Sequence, residues 1–108
     1  MNIEQTVAAL NLRVTLEFPG TGSFMVETRE NIINNFPDAN DNDIGIGYDF
    51  MDDNLSRADA EKLDSFLYDE AWPRINRVMG LLGYGVRDEL DGSGGGLSYG
   101  TTLYYKMK

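Results

Sequence analysis

The chain predicts an α+β fold, an antiparallel sheet of about five strands with helices packed on one side. Three observations carry this expectation. Apolar residues alternate with a period of two in several short stretches bounded by turn residues. They recur at helical spacing through one long central stretch. No strand–helix–strand rhythm repeats along the 108 residues. The length suits a single compact domain over residues 1–108. An apolar content of 42% is enough to build one modest core, so the chain is expected to fold.

Asn2 and Gln5 read as an N-cap and its reciprocal partner, opening a short helix that buries Ile3, Val7 and Leu10. Leu12, Val14, Leu16 and Phe18 then alternate with Arg13, Thr15 and Glu17, which predicts a strand with one buried face. Pro19-Gly20-Thr21-Gly22 marks a turn, and Phe24, Val26 and Thr28 alternating with Met25 and Glu27 complete a β-hairpin. Glu30 to Phe36 predicts a short helix stopped by Pro37, followed by a polar loop from Asp38 to Asp43. Ile44, Ile46, Tyr48 and Phe50 alternate with Gly45, Gly47 and Asp49 in a third strand, whose bare glycine face suits the close approach of another backbone.

Ser56 and Asp59 resemble a capping box ahead of Leu63, Phe66, Leu67 and Ala71 at helical spacing. Pro73 is expected to break or kink this helix at Trp72 and to begin the next. That next helix carries Ile75, Val78, Met79 and Leu82 and stops at Gly83. Tyr84–Leu90 and Leu97–Met107 predict a closing hairpin around Asp91-Gly92-Ser93-Gly94-Gly95-Gly96. Its second strand sets Leu97, Tyr99, Thr101, Leu103, Tyr105 and Met107 on one face.

Charge is distributed unevenly. Between Asp38 and Glu70 stand eleven carboxylates and only two basic residues, Arg57 and Lys62, a formal charge of −9. The flanking segments carry −2 and +2 and cancel. Such a block attracts cations and basic surfaces over about 8 Å at physiological salt, and it repels nucleic acid and anionic lipid. The chain has no cysteine, which removes disulfides and thiolate chemistry and fits a cytoplasmic, intracellular setting, host cytoplasm included if a phage encodes it. It has no histidine, which lowers the expectation of a hydrolase, nuclease or zinc site. No apolar run approaches the ~20 residues of a membrane span, and the N-terminus lacks the pattern of a signal peptide.

The acidic block has the charge density that a mimic of nucleic-acid phosphates needs, since B-DNA carries about one charge per 1.7 Å. Its candidate contact residues are Asp38, Asp41, Asp43, Asp49, Asp52, Asp53, Asp59, Glu61, Asp64, Asp69 and Glu70. Glu61 and Asp69 point away from the apolar helix face, while Asp59, Asp64 and Glu70 flank it. Tyr68 and Trp72 join them as aromatic anchors, with burial of Trp72 by a kink at Pro73 as the alternative. A solvated acidic surface that aids solubility is the plainer interpretation of the block.

Asp38, Asn40 and Asn42 have the first, third and fifth spacing of a calcium loop, with Asp49 at the twelfth. Asp43 stands where the sharp turn wants glycine, Asp49 where a bidentate glutamate is usual, and a strand follows, so no metal is expected there. The Gly92–Gly96 run lacks the lysine and helix start of a phosphate-binding loop. The pair Asp52 and Asp53 has no histidine to complete a catalytic site. No catalytic residue, cofactor or enzyme activity is implied. The expected function is a small acidic, non-catalytic inhibitor of a basic nucleic-acid-binding protein or nuclease. In kind, though by no shared motif, such a chain is similar to phage-encoded anti-CRISPR and anti-restriction DNA mimics and to acidic immunity proteins or antitoxins. A structural or assembly module of a virion or scaffold is the alternative.

Overall fold

The computed structural model describes residues 2–50, 55–91 and 101–108. Helix α1 (Ile3–Glu17) is capped by Asn2, whose side chain accepts the Gln5 N–H at 2.7 Å. It continues well past Leu10. Ile3, Val7, Leu10 and Val14 are all buried, and this spacing of four, three and four is that of one helical face. The strand expected over residues 12–18 is therefore helical instead. Leu12 and Leu16, which would share its buried face, are 60% and 72% exposed. Nothing between Ile3 and Glu17 breaks a helix, and Pro19 with Gly20, at a φ of +76°, ends it. The first hairpin is consequently absent, and among the described residues the sheet has four strands rather than five.

Strand β1 (Gly22–Val26) pairs with β2 (Ile44–Phe50), β2 with β4 (Thr101–Met107), and β4 with β3 (Tyr84–Asp91), all antiparallel. The spatial order is β1-β2-β4-β3. Helix α2 (Arg29–Asn35), capped by Thr28, joins the first two strands. Between β2 and β3 run α3 (Arg57–Phe66), a π-helical turn (Leu67–Ala71) and α4 (Trp72–Leu81). Ser56 caps α3 by accepting the Asp59 N–H at 3.1 Å. This is an α+β domain, with its three long helices on one face of the sheet. The main core unites the buried face of α1 with Leu63, Phe66, Leu67, Ile75 and Met79 of the helical stretch and Phe24, Ile46, Tyr48, Leu103 and Tyr105 of the strands.

Pro73 stands in the first turn of α4, as expected, and the stretch before it is adjusted rather than interrupted. Backbone dihedrals remain right-handed helical at Phe66, Leu67, Ala71 and Trp72. The adjustment is in hydrogen bonding: the Trp72 N–H reaches Leu67 O, five residues back. A π turn gives the proline ring the room that a regular α-turn denies it. It also stacks Trp72 over Leu67, so the indole enters the core against Phe24, with ring centroids 5.4 Å apart, while Tyr68 stays half-exposed.

The opposite face of the sheet is partly covered. Tyr104 meets the Phe36 ring at 4.8 Å, and its hydroxyl accepts a hydrogen bond from Asn35 at 3.1 Å. The space over Gly45 and Gly47 is filled by side chains, not by another backbone. A Cβ on Gly45 would come within 3.0 Å of Glu27 and Tyr104, and one on Gly47 within 2.8 Å of the Thr102 hydroxyl. At the β1 edge, Asn11 of α1 accepts the Phe24 N–H at 2.6 Å and donates to Phe24 O at 3.0 Å. This side chain covers part of the edge that another strand would otherwise join. No helix among the described residues is long and apolar enough to cross a membrane. The turn at Gly92–Gly96, together with Leu97 and Tyr99, lies outside the described residues.

The two assignments of residues 12–18 predict different mutational costs. Val14→Ala should destabilise by about 2 kcal/mol, since Val14 is 1% exposed. Leu12→Ala and Leu16→Ala should each change stability by about 0.5 kcal/mol or less. Urea unfolding of the three variants checks this, and three equal losses would restore the strand.

Candidate functional site

The acidic block divides into a neutralised part and an open part. The neutralised part is the loop after α2. Arg29, the first residue of that helix, donates to the backbone carbonyls of Asn40 at 2.8 Å and Asp43 at 3.0 Å, and also to that of Asp41. Its guanidinium thus ties three backbone oxygens of this loop together. Asp49 belongs to β2 opposite Ser23, roughly 16 Å of extended chain from Ile44. Among the described residues no trio of His, Cys, Asp and Glu is arranged to hold a metal ion.

Arg87 secures the same loop from the sheet. It sits at a register shift in β3, where a bulge re-aims the side chain. Its guanidinium pairs with Asp38 at 2.8 Å and Asp43 at 3.3 Å and lies 4.6 Å over the Phe36 ring. The hydrogen bond from Arg87 holds the Asp38 carboxyl below the usual carboxylate range. Asp43 is only 4% exposed and also accepts the Asn40 N–H at 3.1 Å. Expected as a contact residue, Asp43 is instead an interior strut. Burying a carboxylate requires a cation and a donor: β3 supplies Arg87 and the loop supplies the Asn40 N–H, both to the same carboxylate oxygen.

The open part is on the helices. A groove of about 560 Å³ runs between the C-terminal half of α1 and the α3–π-turn stretch. Phe18 and Phe66 lie at its base, their ring centroids 5.9 Å apart. Glu17, Glu61, Asp69 and Glu70 border it, opposed by Arg13 and Lys62. Arg13 binds Glu17 at 2.8 Å and Glu70 at 3.0 Å, and these hydrogen bonds push its pKa further up. Glu61 pairs with the exposed Arg57 at 3.3 Å. Asp41, Asp49, Asp59 and Asp69 are exposed and form no ion pair among the described residues, while Asp64 is half-buried. Asp52 and Asp53 lie outside the described residues.

Of the two aromatic candidates, Tyr68 is 50% exposed and Trp72 is 6% exposed. Trp72 is thus a core residue and is not available as a surface anchor. Both border a second hollow of about 340 Å³ with Pro73, Val86 and Leu103. The helical acids Glu61, Asp69 and Glu70 do come together, joined by two residues that the strand assignment had removed from consideration, Arg13 and Glu17. Four-residue spacing of Arg13 and Glu17 was the available signal, meaningful only once residues 12–18 are helical. No protein-family model, curated protein or solved structure matches the chain.

The burial of Asp43 predicts unequal effects of the two loop acids. Arg87→Met should cost about 2–3 kcal/mol at neutral pH because it leaves Asp43 buried without its cation. Asp38→Asn, at an exposed pair, should cost much less. The depressed Asp38 pKa contributes stability above the unfolded-state value of about 3.9, lost as pH falls through the folded-state value. In Arg87→Met an NMR titration should return Asp38 toward the ordinary range. An unmoved Asp38 and an unchanged urea midpoint would contradict the pairing.

Proposed function

We propose that this protein is a small, non-catalytic inhibitor. Its carboxylates occupy the basic surface of a nucleic-acid-binding protein or nuclease, in place of nucleic-acid phosphates. One observation carries the proposal: four carboxylates from α1 and the α3–π-turn stretch border a single open groove, opposed among the described residues by Arg13 and Lys62 in its lining and by Arg57 at Glu61. Surface ion pairs contribute about 0–1 kcal/mol, so folding does not require this gathering of like charge. The cost of crowding them is recovered on contact with a positive surface, where complementary fields accelerate encounter and reject acidic competitors. Exposed Asp41, Asp49 and Asp59 extend the negative field beyond the groove. A sequence free of histidine and cysteine lacks the residues that most often serve as bases and nucleophiles.

The test is affinity capture from a lysate of the source organism, followed by measurement of the dissociation constant at low and high salt. Affinity for the captured partner should fall steeply with salt, and nucleic acid should compete for the same surface. Glu61→Lys with Asp69→Lys should weaken binding at least tenfold while leaving the melting temperature nearly unchanged, since both residues are exposed. The matching control reverses Glu4 and Glu30, which lie outside the groove. A salt-independent affinity, or a control as damaging as the groove variant, would sink the inhibitor proposal. Self-association on gel filtration in place of partner capture would favour an assembly role.

A further inference from the structure

We propose that the groove between α1 and the α3–π-turn stretch accepts an arginine side chain of the basic partner, stacked on the phenylalanine base and paired with carboxylates of the outer lip. This specifies the contact made by the proposed inhibitor and rests on that function. The chain itself displays the required chemistry at this place. Arg13 lies 4.6 Å over the Phe66 ring while binding Glu17 at 2.8 Å and Glu70 at 3.0 Å. One ring and two carboxylates thus surround one guanidinium.

The groove extends beyond that internal occupant. It also includes the half-buried Phe18 and the acids Glu61 and Asp69, a second set of one ring and two carboxylates. Asp69 makes no ion pair among the described residues, and Glu61 meets only Arg57, whose side chain is 94% exposed. The six charged groups of the groove leave it two negative charges in excess. Charge complementarity therefore selects a cation. The aromatic base selects a planar, weakly hydrated one, because guanidinium stacks on rings and forks onto carboxylates, whereas the ammonium of lysine stays hydrated.

The probes are an oligo-arginine and an oligo-lysine peptide of equal length, titrated calorimetrically into the full chain at low salt. The wild type should prefer arginine by roughly fivefold. Glu61→Gln with Asp69→Asn should weaken oligo-arginine binding by roughly tenfold and erase the preference. Asp41→Asn with Asp49→Asn removes the same charge from exposed sites away from the groove and should weaken binding less than about threefold, with the preference kept. Equal affinity for the two peptides, or equal loss in both variants, would overturn the arginine groove and leave the basic-partner proposal standing. Failure of either peptide to bind would overturn both.

Discussion

Pro73 has no amide hydrogen to give to the carbonyl of Asp69, and in a regular α-helix its ring would collide with that carbonyl. The rest of the structure depends on how the chain meets this constraint. Widening one turn, so that Trp72 bonds to Leu67, keeps the helix continuous and changes its phase. Residues before the turn bury Leu63, Phe66 and Leu67, and residues after it bury Trp72, Ile75, Val78 and Met79. A single helical stretch can then cover the sheet face from Phe24 to Tyr105, whose hydroxyl donates to Asn76 of α4 at 2.5 Å. The same turn leaves Asp69 and Glu70 outside, at the border of the groove with α1.

The fold treats its negative charge in two ways. Where carboxylates must lie near the interior, cations are supplied from distant parts of the chain: Arg29 gathers the loop carbonyls, and Arg87 bridges Asp38 and Asp43. These contacts tie α2 and its loop to β3 and help to cover the second sheet face. Where carboxylates face water on the helices, pairing is sparse and exposed. Four carboxylates and two phenylalanines border one groove there, and the proposed function reads them as a recognition surface for a cation.

Much of this was legible in the sequence because local rules agreed with the fold. Asn2 and Ser56 are caps, β2 alternates, Gly83 stops α4 at a φ of +93°, and β1, α2 and β3 fall within a few residues of their expected positions. The error over residues 12–18 arose where two periods coincide. Leu12, Val14, Leu16 and Phe18 satisfy a strand, whereas Ile3, Val7, Leu10 and Val14 satisfy a longer helix, and the tertiary core chose the latter. That error hid Arg13 and Glu17, the groove's charged border on the α1 side. The sequence offers Trp72 both as an anchor and as a core residue because residue spacing assumes a regular helix, and a single π turn changes which face a residue occupies. Asp43 reads as a surface charge in the sequence because its cation, Arg87, is 44 residues away. Long-range pairing leaves no local signal.

Trp72 is the one tryptophan of the chain, so its environment reports directly on the π turn. The decisive measurement is its fluorescence emission and acrylamide quenching in the native protein. With the indole 6% exposed and packed against Phe24, emission should be blue-shifted and quenching weak, both reverting on unfolding. Native emission at the wavelength of the unfolded chain, quenched as readily as a free indole, would contradict the account. It would place Trp72 on the surface and remove the phase change that separates the core from the acidic groove.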